Sequence, residues 1–242
     1  MNNARSSASP QLDTIARSGV LRVGLFPSFF YSRSAAGEFS GWGIEMARDL
    51  AARLGAELQL VECDSPPAVV EALSSGGCDL AFMGISPARA GEVEFTPPWA
   101  KGEFTFLVPA GSTARSMADL DVPGLRIGVV RNHAMDGALA GKLLQAERGY
   151  ADTPDAAFSL FVEGQVDVLA GIRPGLVRYC AKAPGSRVLP DAYGANVIGL
   201  AVRKGDAEWL ATVSRFVADT KSSGNARAAA ERVGADGLEI LT

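Results

Sequence analysis

The chain predicts an α/β fold built as two similar units, and three observations carry this reading. Short apolar runs of strand length alternate with stretches whose apolar residues recur at helical spacing, the pattern of βαβ crossovers. The alternation runs once before Trp99 and again after Glu103. The length, 242 residues, is enough for one large domain or two lobes, with ample core.

Ser9-Pro10 opens a helix through Ala16, stopped by Gly19, and the polar lead-in before Leu12 reads as disordered. Val20 to Leu25 alternates and is β-rich, so it predicts a strand that Phe26-Pro27 ends. Phe29, Phe30 and Tyr31 follow in a loop. Beside a strand's carboxyl end they can wall a ligand pocket, or they can pack under the loop. Ile44 to Leu54 is helical and ends at Gly55; Leu58 to Val61 is the next strand. Ser65-Pro66 caps a helix through Leu73, and Asp79 to Met83 closes the first βαβ series, which implies a parallel sheet.

The second series starts with a strand over Glu103 to Val108 and a helical turn over Ser116 to Leu120. Arg126 to Val130 is a strand, Met135 to Leu144 a helix, and Thr153 or Asp155 starts a helix through Val162. Val166 to Ala170 is a strand, Pro174 to Ala181 a helix, and Val188-Leu189 a short strand. Tyr193 to Val202 reads as a buried strand, Ala207 to Ser222 as a long amphipathic helix, and Ala226 to Val233 as the last helix.

Composition narrows the function. A net charge of −4 with no basic run argues against nucleic acid. No apolar segment reaches membrane-spanning length. With one histidine, and with Cys63, Cys78 and Cys180 outside any CxxC pair, neither a metal site nor a Ser-His-Asp set is supported. The thiols read as buried and free, and a Cys63–Cys78 bridge stays open. No GxGxxG follows a strand, so no dinucleotide site is expected, and no cofactor is implied. Asp79, Asp167 and Glu45 read as caps or surface acids.

The stretch from Asp79 to Trp99, DLAFMGISPARAGEVEFTPPW, carries the functional signal. Gly84 breaks a strand, Ser86-Pro87 starts a helix, and Arg89 falls in its first turn. A cation there opposes the partly positive helix end unless an anion binds both; the alternative is a solvated arginine. GISPARAGEVEFTPPW resembles the signature of bacterial family 3 solute-binding proteins. Further along, VLRVG, GWGIEMARDLAARLGAELQLVE, LSSGGCDLAFMG, EGQVDVLAGIRP and IGLAVRKGD resemble that family's successive motifs, from Val20 to Gly234. The resemblance implies a two-lobe, type II periplasmic-binding-protein-like fold. Two crossover strands would join the lobes, and a ligand would sit in the cleft between them. Lobe 1 would be 1–98 plus 195–242, and lobe 2 would be 99–194. It implies that Arg89 holds a ligand carboxylate, that Gly84, Ile85 and Ser86 orient it, and that Phe30, Trp42 and Trp99 form apolar walls. Trp99 can equally pack within the crossover strand.

Three departures qualify the resemblance. Ile172 stands where the family's amino-acid binders carry an ammonium-pairing Asp, and an apolar side chain cannot neutralise a buried ammonium; Glu163 or another acid can substitute. Arg131-Asn132-His133-Ala134 replaces a Gly-Thr or Gly-Ser loop, so His133 supplies a polar contact or is a surface histidine. Arg131 and Arg173 can join Arg89 in the cleft, which would favour a dicarboxylate or phosphate.

The expected function is the substrate-binding component of an ABC-type importer. It would be a periplasmic monomer that captures an amino acid or other small carboxylate for a membrane permease, and not an enzyme. The start, MNNARSSASPQ, has no signal-peptide core, so either a leader has been removed or the protein stays in the cytoplasm. A cyclohexadienyl dehydratase on the same fold and a ligand-sensing domain are the alternatives.

Overall fold

Turn chemistry sets the element boundaries. The computed structural model describes residues 9–34, 36–232 and 237–241. The expectation of disorder for the lead-in therefore lies largely outside the described residues, as do Val233 and Gly234 at the ends of the last helix and the resemblance. The first half runs α1 (Pro10–Ser18), β1 (Val20–Leu25), β2 (Ser32–Arg33), β3 (Phe39–Ser40), α2 (Trp42–Leu54), β4 (Glu57–Glu62), α3 (Pro66–Ser75), β5 (Leu80–Gly84), α4 (Pro87–Ala90) and β6 (Val93–Phe95). Next come β7 (Ala100–Val108), a 3-10 turn (Met117–Leu120), β8 (Arg126–Val130), α5 (Ala134–Ala138), β9 (Glu147–Ala151), α6 (Pro154–Val162), β10 (Val168–Ile172) and α7 (Arg173–Lys182). The chain returns through β11 (Arg187–Val188), β12 (Gly194–Arg203), α8 (Ala207–Ser222), α9 (Asn225–Arg232) and β13 (Leu238–Ile240).

The main sheet has the order β4-β1-β5-β12-β7-β10-β8-β9. It is mixed rather than parallel throughout. β4, β1 and β5 are parallel, as are β10, β8 and β9. Between these blocks β12 and β7 pair antiparallel, with Gly194 opposite Phe104 and Ile198 opposite Ala100. The rest of β12 pairs with β5, and the rest of β7 with β10. The two long strands thus join two α/β lobes. One core draws on residues 15–100 and 198–230, and two smaller clusters draw on 104–193.

The two halves repeat one device. In each, an arginine near the start of a strand meets an aspartate just before the next parallel strand. The Arg22 and Arg126 backbone N–H groups donate to Asp79 and Asp167 at 2.7 and 2.8 Å. Their guanidiniums also donate to the carbonyls of Gly76 and Gly164, which follow α3 and α6 with φ of 80° and 70°. Both helices begin Ser/Thr-Pro, the hydroxyl capping and the proline at the first turn. Asp79 and Asp167 therefore serve the fold, but as partners of strand arginines rather than as helix caps, and Asp79 is buried rather than a surface acid.

One helix is shorter than its periodicity suggests. The expected helix over Met135 to Leu144 stops at Ala138. Gly137 weakens it, and Gly141 and Leu143 adopt φ of 74° and 47°. The chain then pairs Glu147–Ala151 with β8 as an edge strand. That strand carries little apolar signal, because the backbone ladder holds it and Val166 lies over Gly149. All three cysteines are free thiols. Burial pushes the Cys78 thiol up to about 12, so it is inert at neutral pH.

Candidate functional site

Ligand sites in open α/β sheets form beyond the carboxyl ends of the strands, where loops leave side chains uncommitted. A cavity of about 410 Å³ occupies that position here. The loops after β1, β5, β8 and β10 contribute to it, with the start of α6, one face of α7 and Asn196 of β12.

Arg89 lines this cavity. Ser86 caps α4, its hydroxyl accepting from the Arg89 N–H at 3.4 Å. The helix is a single turn of four residues, so its first turn is also its last. An opposed macrodipole is therefore not what distinguishes Arg89. Its guanidinium turns back and donates to the Gly84 carbonyl at 2.9 Å, and among the described residues no carboxylate pairs with it. Burial lowers its pKa, yet an arginine stays charged at neutral pH. The result is a half-buried, unneutralised cation facing the cavity.

His133 stands opposite, placed by the left-handed Asn132 (φ 61°), a conformation asparagine tolerates. Burial first, and then the Arg89 charge, hold its pKa down at about 4. It is therefore a neutral imidazole at pH 7, with one donor and one acceptor. Gly84 admits the Asn196 side chain, which a Cβ at that position would overlap. Ala134 and Ile172 also line the cavity. Phe30 does so while packed on Phe29, ring centroids 4.4 Å apart.

The other expected site residues lie elsewhere. Trp42 and Trp99 stack on each other at 4.4 Å and are 2% and 1% exposed, forming a layer of core behind Phe30. Ile85 packs over Gly199, and the Ser86 hydroxyl is taken up by capping. Arg131 lies over the Tyr150 ring and pairs with Asp152 at 3.5 Å. Arg173 pairs with Glu103 at 3.1 Å and donates to the Leu189 and Pro190 carbonyls. The expected cluster of Arg89, Arg131 and Arg173 is therefore not formed, because two of the three have partners outside the cavity. Glu163 is also absent from the lining; its carboxylate accepts from Gln165.

Sequence reasoning missed the α7 face. Gly175, Arg178, Tyr179 and Lys182 line the cavity at spacings of three, four and seven, which is one face of a helix and was readable as such. It also missed Arg33, paired with Glu62 at 3.4 Å, and Asp155, whose carboxylate accepts from the Tyr179 hydroxyl at 2.8 Å. Among the described residues no cluster of His, Cys, Asp and Glu suits a metal, and no helix is long and apolar enough to cross a membrane.

Known proteins share this sequence pattern and fold. The L-cystine-binding protein TcyJ of Escherichia coli is 26% identical over 233 residues, 93% of this chain and 86% of that protein. The cyclohexadienyl dehydratase of Pseudomonas aeruginosa is 33% identical over 122 residues, 48% of this chain and 45% of that enzyme. Among solved structures, a putative ABC-transporter binding component from Wolinella succinogenes, complexed with lysine, superposes with a TM-score of 0.83 at 26% identity, covering 90% of this chain and 97% of that one. The family model for bacterial extracellular solute-binding proteins, family 3, matches residues 21–234. The match spans most of the chain, both blocks of the sheet and the cavity between them, and the chain belongs to that family.

Proposed function

We propose that this protein is the solute-binding component of an ABC-type importer. It works as a monomer in the periplasm and delivers a small carboxylate solute, an amino acid or a relative of one, to a membrane permease. In this reading lobe 1 (1–98 plus 195–242) and lobe 2 (99–194) close on the solute, excluding water and strengthening each charged contact. The single observation that carries it is Arg89, a half-buried guanidinium in the cavity wall with no acid paired to it among the described residues. A solute carboxylate supplies that acid, with Phe30 and Ile172 as apolar walls and His133 and Ala134 beside it. The named solutes of two similar proteins, cystine and lysine, fit the same class.

The dehydratase reading has the 122-residue likeness in its favour. It needs an available general acid, and the two carboxylates lining the cavity, Glu62 and Asp155, already have partners. Thermal-shift and calorimetric screening with amino acids, dicarboxylates and amines tests the proposal. A carboxylate hit should weaken about 10- to 100-fold in Arg89→Ala, the loss of a charge-assisted hydrogen bond of about 1.5–3 kcal/mol. Unchanged affinity removes Arg89 from the site, and catalytic consumption of prephenate revives the enzyme.

A further inference from the structure

The cavity holds more positive charge than its own residues neutralise. Four cations line it, Arg33, Arg89, Arg178 and Lys182, against two carboxylates, Glu62 and Asp155. The acids are engaged: Glu62 with Arg33, Asp155 with the Tyr179 hydroxyl. His133 adds no charge at neutral pH. Arg178 makes one long contact, NH1 to the Tyr31 carbonyl at 3.5 Å, and no ion pair among the described residues. It projects from α7, in the opposite half of the sheet from Arg89. The same lining includes the apolar side chains of Phe30, Phe104 and Ile172. The Ser28 hydroxyl, also on the wall, is buried without a hydrogen-bond partner among the described residues.

We propose that the solute carries two anionic groups and bridges the two lobes, with one carboxylate on Arg89 and a second group, carboxylate or phosphate, on Arg178. This rests on the reading of Arg89 as a carboxylate anchor. The physical reason is balance. Closing the cavity over this excess of two positive charges, four cations against two carboxylates, is costly unless the contents compensate it. A doubly anionic solute supplies both charges. A zwitterion carries no net charge and leaves that excess uncompensated, even where its ammonium pairs with Asp155, whose carboxylate stays charged on the Tyr179 hydroxyl.

Calorimetry on the purified protein at pH 7 and low salt tests this, using glutarate, 3-phosphoglycerate, butyrate, lysine and cystine as probes. Glutarate or 3-phosphoglycerate should bind at least tenfold more tightly than butyrate, and whichever is tighter identifies the second group as carboxylate or phosphate. Arg178→Gln should erase that advantage while leaving butyrate within about twofold, and Arg178→Lys should keep part of it. Binding of lysine or cystine in preference to both glutarate and 3-phosphoglycerate overturns the doubly anionic solute and leaves the solute-binding reading intact. An advantage of either doubly anionic probe that survives Arg178→Gln also overturns it. Absence of binding by every probe overturns both readings.

Discussion

Gly41→Ala is the sharpest test of how the cavity wall is held. Gly41 has φ 126° and ψ 165°, backbone that glycine adopts and side-chain-bearing residues avoid. A Cβ there would lie 2.7 Å from both the Phe30 carbonyl oxygen and the Tyr31 Cα, which are main-chain atoms that no rotamer change can move. The same carbonyl accepts from the Gly43 N–H at 3.0 Å, so the loop cannot retreat without breaking that bond. Backbone strain of about 1–3 kcal/mol adds to a similar overpacking cost, for a loss of about 2–6 kcal/mol. Gly19→Ala is the control. Gly19 has φ 68° with nothing within 4 Å of its Cβ, so it should lose only about 1–2 kcal/mol. Equilibrium urea unfolding of the two variants measures the difference, and solute affinity should fall in Gly41→Ala alone because Phe30 and Tyr31 wall the cavity. Equal losses in the two variants would refute the close-approach reasoning.

Two further outcomes are expected. Asp79 is 1% exposed and Asp167 is 41% exposed, although both make the same arginine contacts, so Asp79→Asn should cost about 3 kcal/mol and Asp167→Asn less than about 1 kcal/mol in urea unfolding. His133 is held neutral at about 4, so the unfolded chain binds its proton more readily; stability present above pH 6.5 should fall by about 2–3 kcal/mol as pH drops toward 4, and His133→Gln should remove that component of the pH–stability curve.

Much of the fold was legible because turn chemistry punctuates it. Val20–Leu25, Arg126–Val130 and Ala207–Ser222 begin and end where the sequence placed them. β9 was not legible, since backbone pairing with β8 holds an edge strand that has no apolar alternation. The loops at the strands' carboxyl ends placed Phe30, Gly84, Arg89, His133 and Ala134 on the cavity. The arginines show what sequence hides. A charge is visible in the chain, but its partner is not: the Glu103 that neutralises Arg173 lies 70 residues away. Trp42 was misplaced for the same reason, and Trp99 takes the packing role left open for it, because an aromatic in a pocket motif and one packed behind it have the same local sequence.

The distribution of arginine partners bears on function as well as stability. At the amino ends of the strands, Arg22 and Arg126 are matched by Asp79 and Asp167, and each pair also binds the glycine that ends the preceding helix. Those acids fix where each crossover re-enters the sheet. At the carboxyl ends Arg89 and Arg178 face the cavity with carbonyl oxygens as their only protein acceptors among the described residues. A carbonyl orients a guanidinium without neutralising it, so each side chain is aimed while its charge stays available. A matched acid would have stabilised the empty cavity and made it a poor receptor, because an incoming anion would first have to displace that acid. Matching Arg22 and Arg126 with acids while leaving Arg89 and Arg178 on carbonyl oxygens therefore separates the arginines that hold the fold from the two that the proposed solute would meet.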